Sequence, residues 1–409
     1  MSLAFGRPTR AIPGPSIIPD RVLNAMHREA PNIYEGELVA VTDAVRSGLK
    51  AVARTAHDVA MYIGNGHAAW EAALANTVAP GDKVLVIVTG RFGLGWAEIA
   101  KALGADVELM DFGTDCAADP ARLEARLRED RAHEITSVLT VQTDTASSAN
   151  NDIAALGAAI RAAGHPALYQ VDCIASLACE RFEMDAWGVD VMVAACQKGL
   201  MTPPGLGFTY SNPRAMQKRK TLERVSSYFD WMPRLNPSLY YQNFCGTAPT
   251  HHLYGLHEAL KMLLEEEGLE QVWERHRIMA ETVWAAAEVW GETGQLRLNV
   301  ADRAARSVAV TTLRAGPDQG GQLRRWAEDE AGLTLGIGLG LDGASTPPGD
   351  SLFRIGHMGH LNPPMLMGTL GTIDAGLKAL GIAHGGGALR AASDVIGKAL
   401  ETPAKTDAA

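Results

Sequence analysis

The sequence lacks several features that would define whole classes of protein. It contains no apolar run of the roughly 18 residues that a membrane-spanning helix needs. Its first residues also lack the apolar core of a signal peptide. Asp and Glu outnumber Lys and Arg, the formal net charge is -10, and the one dense basic run, Gln217-Lys218-Arg219-Lys220, is short and typical of a solvated helix face. Nucleic acid and membranes are therefore not expected as partners, and the sequence predicts a cytoplasmic protein.

Cysteine is scarce, and its pattern excludes two further classes. The number is odd and the spacings do not match those of metal ligands, so neither a disulfide framework nor a metal site is predicted. We expect the cysteines to be small buried residues in a reducing compartment. They are Cys116, Cys173, Cys179, Cys196 and Cys245.

What the sequence does contain indicates an α/β protein. Its 409 residues, 47% of them hydrophobic, suffice for two packed units. Short apolar runs alternate with helix-length segments, which predicts a mostly parallel sheet covered by helices on both faces. The predicted strands are residues 84–88, 106–110, 137–142, 167–172, 190–195 and 207–210, and the predicted helices are residues 95–103, 119–129 and 152–163.

The pattern changes after about residue 251. Two long amphipathic stretches are followed by a smaller mixed segment with predicted strands at 307–313 and 353–355. This change predicts a second, smaller α+β domain near the C-terminus. The other helical predictions there are residues 251–267, 269–290, 320–331 and 363–380. The predicted organisation is an N-terminal segment (1–19), a large domain (20–255), a small domain (256–385), and a terminal helix with a loose tail (386–409).

Two residues that can carry chemistry follow neighbouring predicted strands. Asp172 closes one apolar strand, and Lys198 follows the next within Cys196-Gln197-Lys198-Gly199. In a doubly wound sheet the carboxyl ends of the strands border the ligand crevice. Alone, the aspartate would be interpreted as a helix cap and the lysine as a surface residue. Together they offer an amine that can form an imine with pyridoxal phosphate and a carboxylate that can keep its ring nitrogen protonated.

Two other segments offer sites for anions. Gly64 and Gly66 precede a predicted helix, where free backbone N–H groups and the helix dipole favour a phosphate. A plain turn is the alternative, because Trp70 stands where a dinucleotide-binding fingerprint would need a third glycine. Arg354 lies in an apolar strand of the small domain, where a guanidinium can bind a substrate carboxylate. A pair with an internal Asp or Glu is the alternative for this arginine.

Taken together, these motifs resemble the class V aminotransferases of the fold-type I pyridoxal-phosphate family, in the alanine-, serine- and aspartate-glyoxylate aminotransferase branch. The resemblance extends from about residue 12 to residue 380. It implies a large, mostly parallel sheet domain, a smaller C-terminal α+β domain and a homodimer with shared active sites. The markers are Ile12-Pro13-Gly14-Pro15 with Pro19, residues 64–71, Val171-Asp172, Cys196-Gln197-Lys198-Gly199, Pro203-Pro204-Gly205 and Arg354-Ile355-Gly356.

The resemblance also implies roles for individual residues. Lys198 would hold pyridoxal 5'-phosphate as a Schiff base, and Asp172 would pair with its ring nitrogen. Thr247 would reach the phosphate in the neighbouring subunit. The other implied cofactor contacts are Gly66, His67, Phe92, Thr145, Ile174 and Gln197, and the implied substrate contacts are Pro13, Gly14, Pro15 and Arg354.

The chain departs from the family pattern at three places. Phe92 stands where relatives usually have tryptophan, which keeps an aromatic face but reduces its area. Phe244 stands where a tyrosine hydroxyl would bind phosphate. Gln142-Thr143-Asp144 replaces a His-Gly/Asn-Glu segment. We therefore expect the cofactor to be retained and the substrate pocket to differ.

The implied reaction moves an amino group from alanine, serine or aspartate to glyoxylate or pyruvate by a ping-pong mechanism. Pyridoxamine-pyruvate aminotransferase is an alternative on the same fold. A cysteine desulfurase or lyase would need a reactive cysteine in the small domain, and none follows Cys245. A nucleotide-dependent oxidoreductase and a non-enzymatic α/β ligand-binding protein are the alternatives from other classes.

Overall fold

The computed structural model of the protein describes residues 2–341 and 350–401, so the expected loose tail at 402–409 lies outside the described residues. Within this part of the chain the strands form one large sheet and three small ones. The strands are β1 (Thr9–Ala11), β2 (Asp58–Gly64), β3 (Lys83–Val88), β4 (Asp106–Asp111), β5 (Ile135–Val141), β6 (Thr143–Asp144), β7 (Ala149–Asn150), β8 (Leu168–Asp172), β9 (Val191–Ala195), β10 (Gly205–Ser211), β11 (Arg297–Leu298), β12 (Val310–Arg314), β13 (Leu333–Leu335) and β14 (Leu352–Gly356).

Helices fill the segments between these strands. A π-helix at Met262–Glu267 and two short 3-10 helices, Tyr240–Phe244 and Arg303–Ala305, complete the set. The α-helices are α1 (Asp20–Met26), α2 (Glu37–Val52), α3 (Gly66–Thr77), α4 (Arg91–Ala102), α5 (Pro120–Glu129), α6 (Ile153–Ala162), α7 (Met184–Trp187), α8 (Pro213–Thr221), α9 (Trp231–Leu235), α10 (Thr250–Lys261), α11 (Leu269–Trp290), α12 (Gln319–Ala331), α13 (Pro363–Ala379) and α14 (Ala388–Ala399).

The large sheet has the strand order β2-β10-β9-β8-β5-β3-β4. β10 runs antiparallel to both of its neighbours, whereas the remaining pairs are parallel. Alternate residues of β3 enter different cores. Leu85 and Ile87 belong to one hydrophobic cluster, and Val84, Val86 and Val88 belong to another. The prediction of a mostly parallel sheet buried on both faces is therefore confirmed.

The sheet brings the ends of β8 and β9 together. These two strands pair in parallel, with Asp172 opposite Val193, and Lys198 follows β9 three residues after its end. The prediction that Asp172 and Lys198 lie at one carboxyl edge of the sheet is confirmed. This edge is where an open α/β sheet binds its ligand.

The small domain contains the antiparallel sheet β11-β12-β14 and packs it against α11, α12, α13 and α14. The N-terminal segment joins this domain because β1 pairs in parallel with β13. The chain then continues from β1 to Pro13, which contacts Gly336 beside Arg354. The pairing therefore places the N-terminal segment next to the strand that carries Arg354.

Several local predictions were incomplete or wrong. The edge strand β2 was not predicted, and α4 begins at Arg91, four residues before the expected start. Cys116 and Cys245 are exposed, in contrast to the expected burial of all cysteines. Cys116 lies in the loop before α5, and Cys245 ends a 3-10 helix with a positive φ of 55°. None of the helices in the described residues is both long and apolar enough to cross a bilayer.

Candidate active site

The amine of Lys198 is enclosed by the N-terminal segment. Its Nζ donates a hydrogen bond to the carbonyl oxygen of Pro13. Gly14 has a φ of 102°, and a Cβ at this position would overlap the lysine side chain. Burial lowers the pKa of Lys198 to about 8, with a further lowering by Arg354 that Asp172 opposes. Roughly a tenth to a fifth of this amine is therefore neutral near physiological pH, far more than for an ordinary lysine, and the neutral form is the one that a nucleophile or base requires.

The carboxylate of Asp172 is fixed by two donors. Its Oδ2 accepts a hydrogen bond from Trp70 Nε1 at 2.9 Å, and its Oδ1 accepts one from the backbone N–H of Ile174 at 2.6 Å. Burial nevertheless raises the pKa of Asp172 to about 7. Two neutral donors orient this carboxylate without neutralising its charge, so the position favours a cationic partner.

Asp172 and Lys198 line one cavity of about 240 Å³. Every residue that the sequence assigned to the cofactor also lines it, except Thr247, which is exposed and outside the cavity. Phe92 supplies an aromatic wall, and the side-chain oxygen of Gln197 is buried without a hydrogen-bond partner in the described part of the chain. The complete lining is Asn65, Gly66, His67, Trp70, Phe92, Thr143, Thr145, Asp172, Ile174, Ala175, Gln197 and Lys198.

Two backbone N–H groups at the start of α3 are already hydrogen-bonded. The backbone N–H groups there were expected to be free for an anion. In the structure Asn65 caps the helix, and its Oδ1 accepts hydrogen bonds from the N–H groups of His67 and Ala68 at 3.1 and 3.4 Å. An asparagine at this position commonly satisfies the first turn of a helix. An anion at this helix start would therefore share these two donors with Asn65.

Asp144 connects two walls of the cavity and was not predicted to do so. Its Oδ2 accepts a hydrogen bond from the N–H of Phe92 at 2.7 Å, and its Oδ1 accepts one from the N–H of Ala146 at 3.0 Å. The carboxylate thereby fixes the backbone of Phe92 against the segment that contains Thr145. Burial raises the pKa of Asp144, while these backbone donors lower it. Gly90 leaves room for this carboxylate, since a Cβ there would overlap it.

Arg354 reaches the same region from β14. Its Nη1 donates to the carbonyl oxygen of Thr145 at 2.7 Å, and its Nε donates to the carbonyl oxygen of Ile337. Burial lowers the pKa of Arg354 to about 10, so the group stays charged at neutral pH. It forms no ion pair with a carboxylate of the described residues, so an internal pair does not explain it there. None of the four residues predicted to bind the substrate, Pro13, Gly14, Pro15 and Arg354, lines the cofactor cavity itself; Arg354 contacts it through Thr145, which does, and the charge of Asp144 acts on the guanidinium.

The sequence is similar to those of known aminotransferases. The family model of aminotransferase class-V matches residues 13–319. The serine-glyoxylate aminotransferase of Methylorubrum extorquens is 36% identical over 390 residues, which cover 91% of this chain and 93% of that protein. The L-aspartate-glyoxylate aminotransferase of Paracoccus denitrificans is 33% identical over 376 residues, 91% of each chain.

Solved structures show the same similarity at the level of the fold. The crystal structure of pyridoxamine-pyruvate aminotransferase from Mesorhizobium loti superposes with a TM-score of 0.87. The match has 25% sequence identity and covers 98% of this chain and 100% of that one. The similarity therefore includes the large sheet, the small domain and the N-terminal segment.

Proposed function

The chain belongs to the class-V aminotransferases, and we propose that it transfers the amino group of alanine, serine or aspartate to glyoxylate or pyruvate. Enzymes of this family depend in general on pyridoxal phosphate. The observation that carries the proposal is the arrangement of three groups. Asp172 and Lys198 line one cavity, and the charge of Arg354, which contacts Thr145 of the same lining, acts on Lys198.

The residues of the cavity fit pyridoxal 5'-phosphate. A protonated ring nitrogen would supply the cationic partner that Asp172 lacks among its hydrogen-bond donors. Phe92 offers a face for stacking on the ring. The start of α3 offers a positive dipole end for the phosphate, and the side-chain amide of Gln197, which lines the same cavity, offers an NH2 donor. We propose these contacts, with Ile174 and Thr145 beside the ring, as the cofactor site.

When bound, this cofactor supplies a carbonyl that captures the substrate amine and a ring that withdraws electrons from the carbon that loses its proton. The chain contributes the proton transfers and the positioning. With the cofactor bound, the amine of Lys198 would accept the proton from the substrate Cα and would donate it to the carbon atom that gains the hydrogen in the transfer. Its lowered pKa of about 8 suits both directions. Pro13 and Gly14 restrict the space in which that amine moves.

We propose that Arg354 and the loop at residues 13–15 orient the substrate. The guanidinium is already held by the carbonyl oxygens of Thr145 and Ile337, which orient it without neutralising it. A carboxylate bound there gains a charge-assisted contact in a region shielded from water. Amino acids and keto acids share this carboxylate, so one arginine serves both halves of the reaction.

We propose a homodimer as the active unit. Thr247 is exposed and lies outside the cofactor cavity of its own chain. The large apolar side chains of Tyr34, Leu239 and Tyr241 are exposed as well. A second copy that covered this surface could receive Thr247 beside the phosphate of its cofactor. The proposal expects a dimer in analytical ultracentrifugation.

A panel of donors and acceptors tests the proposed function. Alanine, serine and aspartate are each combined with glyoxylate and with pyruvate, and the keto-acid product is quantified. We expect turnover with at least one pair and parallel lines in double-reciprocal plots, because the two substrates bind in turn. A yellow chromophore that borohydride fixes to the Lys198 peptide is expected in the same preparation. A colourless protein that binds NAD would contradict the proposal.

The similarity to pyridoxamine-pyruvate aminotransferase supports a second candidate function. Free pyridoxamine would then be the amino donor and pyruvate the acceptor. Pyridoxamine carries no carboxylate, so Arg354 would contact only the keto acid. Consumption of pyridoxamine in place of every amino acid in the panel would favour this reaction over the first.

Replacement of Arg354 by glutamine is expected to raise KM for the keto acid about 100-fold, while kcat changes far less. The reason is that a buried cation is lost from the carboxylate site. Arg354→Lys keeps the charge but loses the bidentate geometry, and about a tenfold rise is expected. Steady-state kinetics with varied keto acid measures both. Arg297→Gln, at an exposed position of β11, serves as the matched control. An unchanged KM in Arg354→Gln would exclude the proposed contact.

A further inference from the structure

Ser16 connects the N-terminal segment to the main chain of Lys198. Its N–H donates a hydrogen bond to the carbonyl oxygen of Gln197 at 2.9 Å, and its Oγ donates one to the carbonyl oxygen of Lys198 at 2.7 Å. The serine is 8% exposed, so water competes little for either bond. Both bonds act on the main chain from which the lysine side chain extends, and not on the side chain itself.

Gly359, in the loop between β14 and α13, packs directly against Ser16. A Cβ on Gly359 would lie 3.0 Å from both Cβ and Oγ of the serine, and the φ of 81° also favours glycine. The next residue of the N-terminal segment, Ile17, forms an isolated parallel bridge with Gly359. A larger residue at 359 would have to displace the serine, so the close contact restricts where the Ser16 hydroxyl can lie.

Helix α11 fixes Gly359 through both of its backbone groups. The N–H of Gly359 donates a hydrogen bond to His276 Nε2 at 2.9 Å, and its carbonyl oxygen accepts one from Arg275 Nη1 at 2.8 Å. His276 is neutral, because burial lowers its pKa to about 3, and its Nδ1 donates to the carbonyl oxygen of Val272 at 2.7 Å. The proton of the ring therefore lies on Nδ1, which leaves Nε2 as the acceptor for Gly359.

Three parts of the chain that are distant in the sequence therefore meet at the main chain of Lys198. They are the N-terminal segment, the loop after β14 and helix α11. A lysine carries its amine on a long, flexible stem, so the position of its main chain decides which atoms the amine can reach. A displacement of about 1 Å at a reacting group can lower a rate about 100-fold. The hydrogen bond from Ser16 is therefore placed where a small shift would affect the reaction.

We propose that Ser16 is a positioning residue that acts through Lys198. Its hydrogen bond to the lysine carbonyl oxygen, supported by Gly359 and His276, holds the amine where it reaches the cofactor and the substrate proton. This inference rests on the proposed function, in which Lys198 performs both steps. Ser16 does not line the cofactor cavity, so the loss of its hydroxyl would affect the lysine without removing any part of the cavity wall.

Cofactor capture by the full-length apoprotein tests this role without turnover. The protein is stripped of cofactor and mixed with excess pyridoxal 5'-phosphate, and the rise of the yellow absorbance gives the rate of imine formation at Lys198. Ser16→Ala is expected to form the imine about tenfold more slowly than the wild type and to reach the same final absorbance. The matched control is Ser47→Ala, because Ser47 Oγ donates to the carbonyl oxygen of Asp43 at an exposed position of α2. This control should react at the wild-type rate.

The kinetic isotope effect on proton transfer provides a second measurement. In the cofactor-loaded enzyme, Ser16→Ala is expected to lower kcat about tenfold and to increase the isotope effect of a Cα-deuterated donor, while KM changes by less than about twofold. A serine that only stabilised the fold would change the amount of active protein and leave this isotope effect unaltered. Ser16→Cys fills the space of the hydroxyl but donates only weakly, so it should resemble Ser16→Ala.

The possible outcomes distinguish this inference from the proposed function. A wild type that forms no chromophore on Lys198 would overturn both. If the wild type transaminates and Ser16→Ala keeps the wild-type capture rate and isotope effect, only the role of Ser16 is overturned. Wild-type values in Ser16→Cys would also overturn it, because packing and not the hydrogen bond would then position the lysine. If Ser16→Ala does not fold, the same two measurements on Ser16→Cys decide.

Discussion

Replacement of Lys198 by alanine is expected to lower kcat/KM for the amino donor by at least about 10⁴-fold. The variant loses the amine that anchors the cofactor and the base that moves the substrate proton. Among the described residues, no other amine lines the cofactor cavity. Arg354 cannot replace it, because a guanidinium with a pKa of about 10 stays protonated at the pH of the assay. Rapid mixing of the cofactor-loaded variant with donor, followed by visible absorbance, measures the loss directly.

Rescue by an added amine distinguishes a lost base from a damaged fold. Ethylamine should restore part of the rate in Lys198→Ala and should do so increasingly at higher pH, since only its neutral form accepts a proton. In the wild type, burial keeps the pKa of the lysine near 8, so its rate should level off at lower pH than the rescued rate. Lys101→Ala, at an exposed position of α4, should behave as the wild type. Full turnover and a covalently held chromophore in Lys198→Ala would exclude the proposed role.

The sequence was sufficient to predict the part of the fold that brings Asp172 and Lys198 together. Strands buried on both faces are apolar along their whole length, so β8 and β9 stand out from the helices around them. Residues that follow neighbouring parallel strands must lie at one edge. The pairing of β8 with β9 therefore followed from the pattern alone. Arg354 was also placed correctly on a strand of the small domain, as β14 shows.

Contacts between distant segments were not predictable in the same way. The apolar run of β2 could equally belong to a buried helix. The hydrogen bond from Trp70 to Asp172 joins residues 102 positions apart. A buried indole N–H needs an acceptor, but the sequence does not say which one. Glu180 likewise accepts hydrogen bonds from Thr143, Ser307 and Val308, which are distant from it in the sequence.

Asp172→Asn is expected to lower kcat about 1000-fold, because a neutral amide cannot hold a protonated ring nitrogen. The substitution also removes a hydrogen bond that holds the side chain. Trp70 Nε1 and the N–H of Ile174 both donate to the carboxylate, and an asparagine offers an acceptor to only one of them. Single-turnover rates with the preferred donor measure the catalytic loss, and cofactor titration of the apoenzyme measures the loss of binding.

The pH dependence of cofactor binding distinguishes the contribution of the negative charge of Asp172 from that of the position of its side chain. Burial raises the pKa of this carboxyl to about 7 in the cofactor-free protein, so protonation competes with the ring nitrogen below that pH. The affinity of the wild type for the cofactor should therefore fall as the pH decreases below 7, whereas that of Asp172→Asn should not. Trp70→Phe keeps the carboxylate and removes one donor, so kcat should fall by less than about tenfold and the decrease should persist. If Trp70→Phe lost as much activity as Asp172→Asn, then the position of the carboxylate and not its charge would control the reaction.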